Sequence, residues 1–202
     1  MKEPTRPRGL SRIAGSRPLR RRVLVFTEGT NTEPQYINAL KRTDLVKRNS
    51  HVSIAVSPEH GSPMNLVQAA LRTQKGNEYD DIWCLFDVEA PVPHGDLVRA
   101  LELAKRKNLN VALSNPCFEL WLYLHDFDHN AYITTDNMKS IAQQLPELDG
   151  ENLVNSEKLT LRRNRAIQRA EALRLRHIRN QTKKLSKNPS TDVDLFIRAL
   201  EG

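Results

Sequence analysis

The chain has 202 residues, of which 39% are apolar, and a net charge of +7 at neutral pH, a size that suits one domain with a sizeable core. Its apolar runs are only a few residues long, which excludes a membrane span of about 20 consecutive apolar residues, and the basic N-terminus lacks the roughly 7–15-residue apolar stretch of a signal peptide. The two cysteines, Cys84 and Cys117, each lie inside an apolar run and too far apart for a local metal knuckle, so they read as reduced core thiols of a cytoplasmic protein.

Residues 1–20 mix Pro, Gly, Ser and Arg without periodicity and read as a basic flexible arm; from Met1 to Arg22 there are 8 Lys/Arg against 1 acid. An α/β core is expected over residues 21–125. Arg22 to Thr27 (RVLVFT) is a buried strand by its β-branched and apolar content. A helix should begin at Thr32, with Pro34 in its first turn and Gln35 completing a capping box. His51 to Ser57 is a second strand, followed by a helix capped by Ser62. Asp81 to Phe86 (DIWCLF) is a third strand whose near-continuous apolar run suits burial on both faces. A helix from about Asp96 to Lys105, a strand at Val111 to Leu113 and a helix from Phe118 to Leu124 complete this part. Strands alternating with helices predict a mainly parallel four-strand sheet covered on both sides.

A helical extension is expected over residues 126–202. It holds a helix near Met138 to Leu145, a long basic helix around Glu157 to Lys184, and a terminal helix capped by Thr191. From Glu157 to Lys187 there are 11 Lys/Arg against 2 acids. Lys158, Arg162, Arg163 and Arg165 open that helix and are the candidate grip on a nucleic-acid backbone. A solvated helix face is the alternative for such a run of charge.

In open parallel sheets, sites form at the carboxyl ends of the strands. Glu28 follows the first strand, and Asp87 ends the third with Glu89 two residues on. Residues i and i+2 of an extended strand point the same way, so Asp87 and Glu89 should aim two carboxylates into one site. Hard oxygen ligands of this kind suit Mg²⁺ or Mn²⁺. Asn115 ends the fourth strand, available to a phosphate or a metal-bound water. Glu119, in the following first turn, would extend the acidic set or act as a dipole-friendly helix-start acid. Glu33, His94 and His125 are weaker candidates. No phosphate-loop or dinucleotide fingerprint is present.

The strand ending in Glu28-Gly29, followed by one ending in Asp87-x-Glu89, resembles the Toprim arrangement of topoisomerases, primases and overcoming-lysogenization-defect nucleases. More narrowly, VLVFTEGTNTEPQYINAL, YDDIWCLFDVE, ALSNPCFELWLYLH and NPSTDVDLFIRAL are similar to the corresponding stretches of RloB/AbiL-type proteins from bacterial restriction and abortive-infection loci. The resemblance implies a Toprim-like, Rossmann-like fold and a Mg- or Mn-dependent nuclease or related phosphoryl-transfer enzyme acting on DNA or RNA in antiphage defence. Metal would be held by Glu28, Asp87 and Glu89, with Glu28 as ligand or general base. A second protein of a defence operon, such as an ATPase, is an implied partner, and the C-terminal helices could pair two copies. The Toprim pattern carries Asp-x-Asp, whereas the second acid here is Glu89, one methylene longer. A non-catalytic nucleic-acid-binding subunit of a larger defence complex is the alternative function.

Overall fold

A computed structural model describes residues 20–47 and 51–201; the expected basic arm, Arg20 apart, lies outside them. The chain runs through β1 (Arg21–Thr27), α1 (Thr32–Leu40), α2 (Asp44–Lys47), β2 (Val52–Val56), α3 (Pro63–Gln74), β3 (Asp81–Asp87), α4 (Leu97–Arg106), β4 (Asn110–Asn115) and α5 (Glu119–Tyr123). Beyond these come α6 (Thr135–Ala142), a small hairpin of β5 (Leu148–Asp149) and β6 (Asn152–Leu153), α7 (Ser156–Leu161), α8 (Arg163–Arg179), β7 (Ser190–Thr191) and α9 (Val193–Glu201).

The central sheet has the order β2-β1-β3-β4-β7, parallel except for β7. Strand alternation sorts its side chains into two cores. Val23, Val25, Trp83 and Leu85 face a cluster with Tyr36 and Ile37 of α1, Trp121 of α5, Ala170 of α8 and Phe196 of α9. Leu24, Phe26, Ile82, Cys84 and Phe86 face the other way, against Leu66 and Ala70 of α3 and Ala100 and Ala104 of α4. Burial on both faces accounts for the unbroken apolar runs of β1 and β3. Both cysteines are buried and unpaired, and burial pushes the Cys84 thiol up to about 12.

The order of strands has one reversal. From β1 the chain crosses one way to β2, then returns to place β3 and β4 on the other side. The carboxyl ends of β1 and β3 therefore flank a crevice at the switch point, where ligands bind in open α/β sheets.

Four local expectations are corrected. The capping box at Thr32 does not form: its hydroxyl donates to Glu33, and Gln35 reaches out to Asn152 and Leu153. The Ser62 hydroxyl donates to Asp96 (2.8 Å) instead of capping α3, and Asp96 accepts the Met64 N–H. The long basic helix is two helices, broken at Arg162, and the second ends at Arg179. Thr191 does accept the Val193 N–H at the start of α9, but it also belongs to a fifth strand paired antiparallel with β4 (Ser114↔Thr191, Asn115↔Ser190). The C-terminal helices thus share the sheet and the core of the α/β part. Among the described residues no helix is long and apolar enough to cross a membrane.

His125 belongs to this core. Its Nδ1 faces the Trp121 carbonyl at 2.9 Å and its Nε2 the Tyr36 hydroxyl at 3.0 Å, with its ring edge-to-face on both aromatic rings. Burial lowers its pKa to about 4. The folded state therefore resists protonation across a range in which the unfolded chain, titrating near 6.5, takes up a proton. Stability is full above about pH 6.5 and falls as pH drops toward 4, by on the order of a few kcal/mol. Urea unfolding measured across that range should show the loss in the wild type and a weaker one in His125→Gln.

Candidate functional site

At the switch point lies a cavity of about 580 Å³. The ends of β1 and β3 supply Glu28, Asp87 and Glu89. The loop into α1 and its first turn supply Gly29 to Glu33, and the start of α5 supplies Glu119. One face of α6 adds Asp136, Lys139, Ser140 and Gln143, and the turn of the β5–β6 hairpin adds Gly150 and Glu151. The structure thus brings together Glu28, Asp87, Glu89 and Glu119, with Glu33 as a fifth acid.

Backbone geometry fixes the carboxylates. The Asp87 N–H donates to Glu28 Oε2 (3.1 Å), bridging the two strand ends. His94 Nε2 lies 2.6 Å from Glu28 Oε1, so the histidine of the loop after β3 orients the acid that follows β1. Glu33 turns back to accept the Gly29 N–H (3.0 Å) and the Thr32 hydroxyl (3.0 Å). A Cβ at Gly29 would sit 2.4 Å from Glu33 Oε2, so any larger residue would displace that carboxylate. Glu89 reaches the cavity by another route than strand alternation: its φ of 69° is left-handed, and its N–H donates to the Pro116 carbonyl (2.9 Å). Non-glycine residues in that region are uncommon and concentrate at functional sites.

Asp87 is enclosed by protein except where it opens into the cavity. Burial raises its pKa well above the usual carboxylate value, and Glu33, Glu119, Glu28 and Glu89 raise it further. Burial also raises Glu28, against the opposing pull of the Asp87 N–H and His94, and it raises Glu33. Neither the Asp87 nor the Glu89 carboxylate has a hydrogen bond among the described residues, and Glu119 Oε2 is buried without a donor. Among the described residues no three Asp, Glu, His or Cys side chains are already gathered around one point for an ion. The donor set is nonetheless all hard oxygen, with buried acceptors left over. That composition fits Mg²⁺ or Mn²⁺.

Other candidates lie elsewhere. Asn115 does not line the cavity; its amide donates to the Leu185 carbonyl (3.2 Å), tying the segment before β7 to the sheet. His125 is a core residue. Arg162 is not free to grip phosphate: it forks onto Asp126 (2.8 Å) and reaches Glu147 (2.9 Å). Arg163 is half-buried against the end of α7, where it donates to the Thr160 carbonyl (3.4 Å). Lys158 and Arg165 are exposed. Arg174 likewise pairs inward, with buried Asp194, and Arg169 donates to the Leu124 carbonyl (2.8 Å) while pairing with exposed Asp128. Asp136, Lys139, Gln143 and Glu151 are cavity residues that the sequence reading did not single out. The i, i+3 and i+7 spacing of Asp136, Lys139 and Gln143 along α6 and its C-cap was the available signal for three of them.

Two measurements probe this arrangement. Arg162→Gln should lower unfolding stability by about 2–3 kcal/mol, since it strands a buried Glu147 carboxylate; Arg165→Gln and Lys158→Gln should change it by less than about 0.5 kcal/mol. Asp87 prefers its protonated form when folded, so its ionisation costs stability as pH rises above the ordinary carboxylate range. Asp87→Asn should therefore raise Tm of the metal-free protein by about 2–6 °C at neutral pH. The gain should fade as pH approaches 4, as read by thermal scans in chelator.

The family model for RloB-like protein matches residues 23–200, a span that holds all of the sheet but the first two residues of β1, and every cavity residue. No curated protein matches the chain. On that match the chain belongs to the RloB-like protein family.

Proposed function

We propose that the chain is a Mg²⁺- or Mn²⁺-dependent phosphodiester hydrolase acting on nucleic acid, employed in bacterial antiphage defence. The observation that carries the reading is Asp87: a carboxylate enclosed among four others, with its own oxygens unbonded, at the switch point of a parallel sheet. Such a cluster is costly for a protein to maintain without a cationic partner. The defence setting rests on the family resemblance.

Asp87, Glu89 and Glu119 would hold the metal, because their oxygens are the ones not already committed. A divalent ion there supplies charge neutralisation at the scissile phosphate and lowers the pKa of water. Glu28 suits the general base: His94 and the Asp87 N–H fix its orientation. In the reaction a water oxygen bonds to phosphorus while the P–O bond to the leaving group breaks. The proton of the water passes to Glu28, and the leaving oxygen takes a proton from solvent. The products are a phosphate monoester and an alcohol. Glu28 then gives its proton up to solvent, so that one water is consumed per bond cleaved, and the His94 contact keeps Glu28 in place.

Purified protein should cleave DNA or RNA with Mg²⁺ or Mn²⁺ and lose all cleavage in chelator. Asp87→Asn should abolish detectable turnover, and Glu28→Gln should lower kcat by about 10²–10⁴. Equal cleavage by wild type and Asp87→Asn would mark a contaminant and remove the hydrolase reading.

A further inference from the structure

Among the described residues lining the cavity, seven are Asp or Glu, and one, Lys139, is a cation. The rest of the lining is neutral, so an anionic substrate entering among the acids finds positive charge at Lys139. Lys139 stands on the polar stripe of α6, whose opposite stripe (Thr135, Met138, Ala142) is buried in the core. The helix is therefore fixed in rotation, and residues 136, 139, 140 and 143 must face the cavity. The far end of this wall is clamped: Gln143 donates to the Gly150 carbonyl (3.0 Å) and accepts the Gly150 N–H (3.1 Å).

Despite this acidic neighbourhood, Lys139 forms no hydrogen bond and no ion pair within 4.0 Å among the described residues. Lys139 is exposed toward the cavity it lines together with Glu119, Glu89 and Asp87, and these acids raise its pKa against the effect of burial. It is thus charged, shares the cavity with the carboxylates, and is uncommitted among the described residues. Most arginines of α8, by contrast, are engaged in docking the helix.

We propose that Lys139 is a catalytic residue of this site, its ammonium contacting a non-bridging phosphate oxygen of the substrate. The inference rests on the phosphodiester reading above and extends it to a residue on a different element. A lysine suits the task as a compact point charge with rotatable donors. Charge that develops on the phosphate in the transition state would be stabilised by a group already in position.

The test uses the full chain and a labelled single strand of about 12 nucleotides, with Ca²⁺ present as a divalent ion to hold the strand. Lys139→Met should weaken strand binding at least about tenfold, and Lys139→Arg should restore most of it. With Mn²⁺, cleavage by Lys139→Met should fall about 10²-fold. Mn²⁺ binding, followed by calorimetry, should be as tight as in wild type or tighter, because one positive charge has left an acidic cavity. That opposite movement of metal and strand affinity separates a phosphate contact from a structural role. Strand binding within about threefold of wild type, or Mn²⁺ binding lost together with it, would overturn the assignment, as would a wild type that binds no strand. If Mn²⁺ fails to bind wild type while strand binding still depends on Lys139, the metal reading fails and the lysine contact stands.

Discussion

The repulsion among carboxylates at the switch point is the constraint around which this molecule is organised. Asp87 is enclosed among Glu28, Glu33, Glu89 and Glu119, and nothing in the side chains themselves favours that gathering. The backbone imposes it. Parallel pairing of β1 with β3 brings two strand ends side by side, and the α1 and α5 starts converge on the same crevice. The apolar clusters on both faces of the sheet make that pairing unavoidable. Hydrophobic burial, at roughly 25 cal/mol per Å², thereby holds like charges together that would otherwise separate.

Within the cluster the fold distinguishes the acids by their hydrogen bonds. Glu28 and Glu33 are each held at both oxygens, one by a histidine and a strand amide, the other by the Gly29 amide and the Thr32 hydroxyl. They are oriented and have little capacity left. Asp87, Glu89 and Glu119 retain open acceptors. One composition thus provides two kinds of carboxylate, those that are positioned and those that can bind. The left-handed backbone at Glu89 is the local strain that this sorting requires.

Much of this was legible in the sequence, because it depends on short periodicities. The apolar runs at Val23 and Ile82 identify doubly covered strands, and an acid directly after each one identifies the crevice. What was not legible depends on long-range pairing. Ser190 and Thr191 carry no strand periodicity and become a strand only because the edge of β4 is there to receive them. The interruption at Arg162 looks like continuous helix until Asp126 and Glu147 are brought alongside. The polar stripe of α6 is indistinguishable from a solvated face until the hairpin turn closes over it. Asn115 has the right position in sequence for the site, and its amide is turned to the Leu185 carbonyl instead.

The antiparallel strand β7 gives the order of synthesis a physical meaning. The four parallel strands and all five carboxylates of the cluster lie between residues 21 and 119, whereas the strand that covers the edge of β4 is made only at Ser190 and Thr191. A chain emerging from the ribosome passes through a stage in which the acidic crevice can assemble while one sheet edge is still bare. Bare edges invite pairing with other chains. The two-residue strand, with its hydroxyl contact between Ser114 and Thr191, then acts as a late seal, and protection of the nascent fold against misassembly depends on residues made well after the last of the five carboxylates.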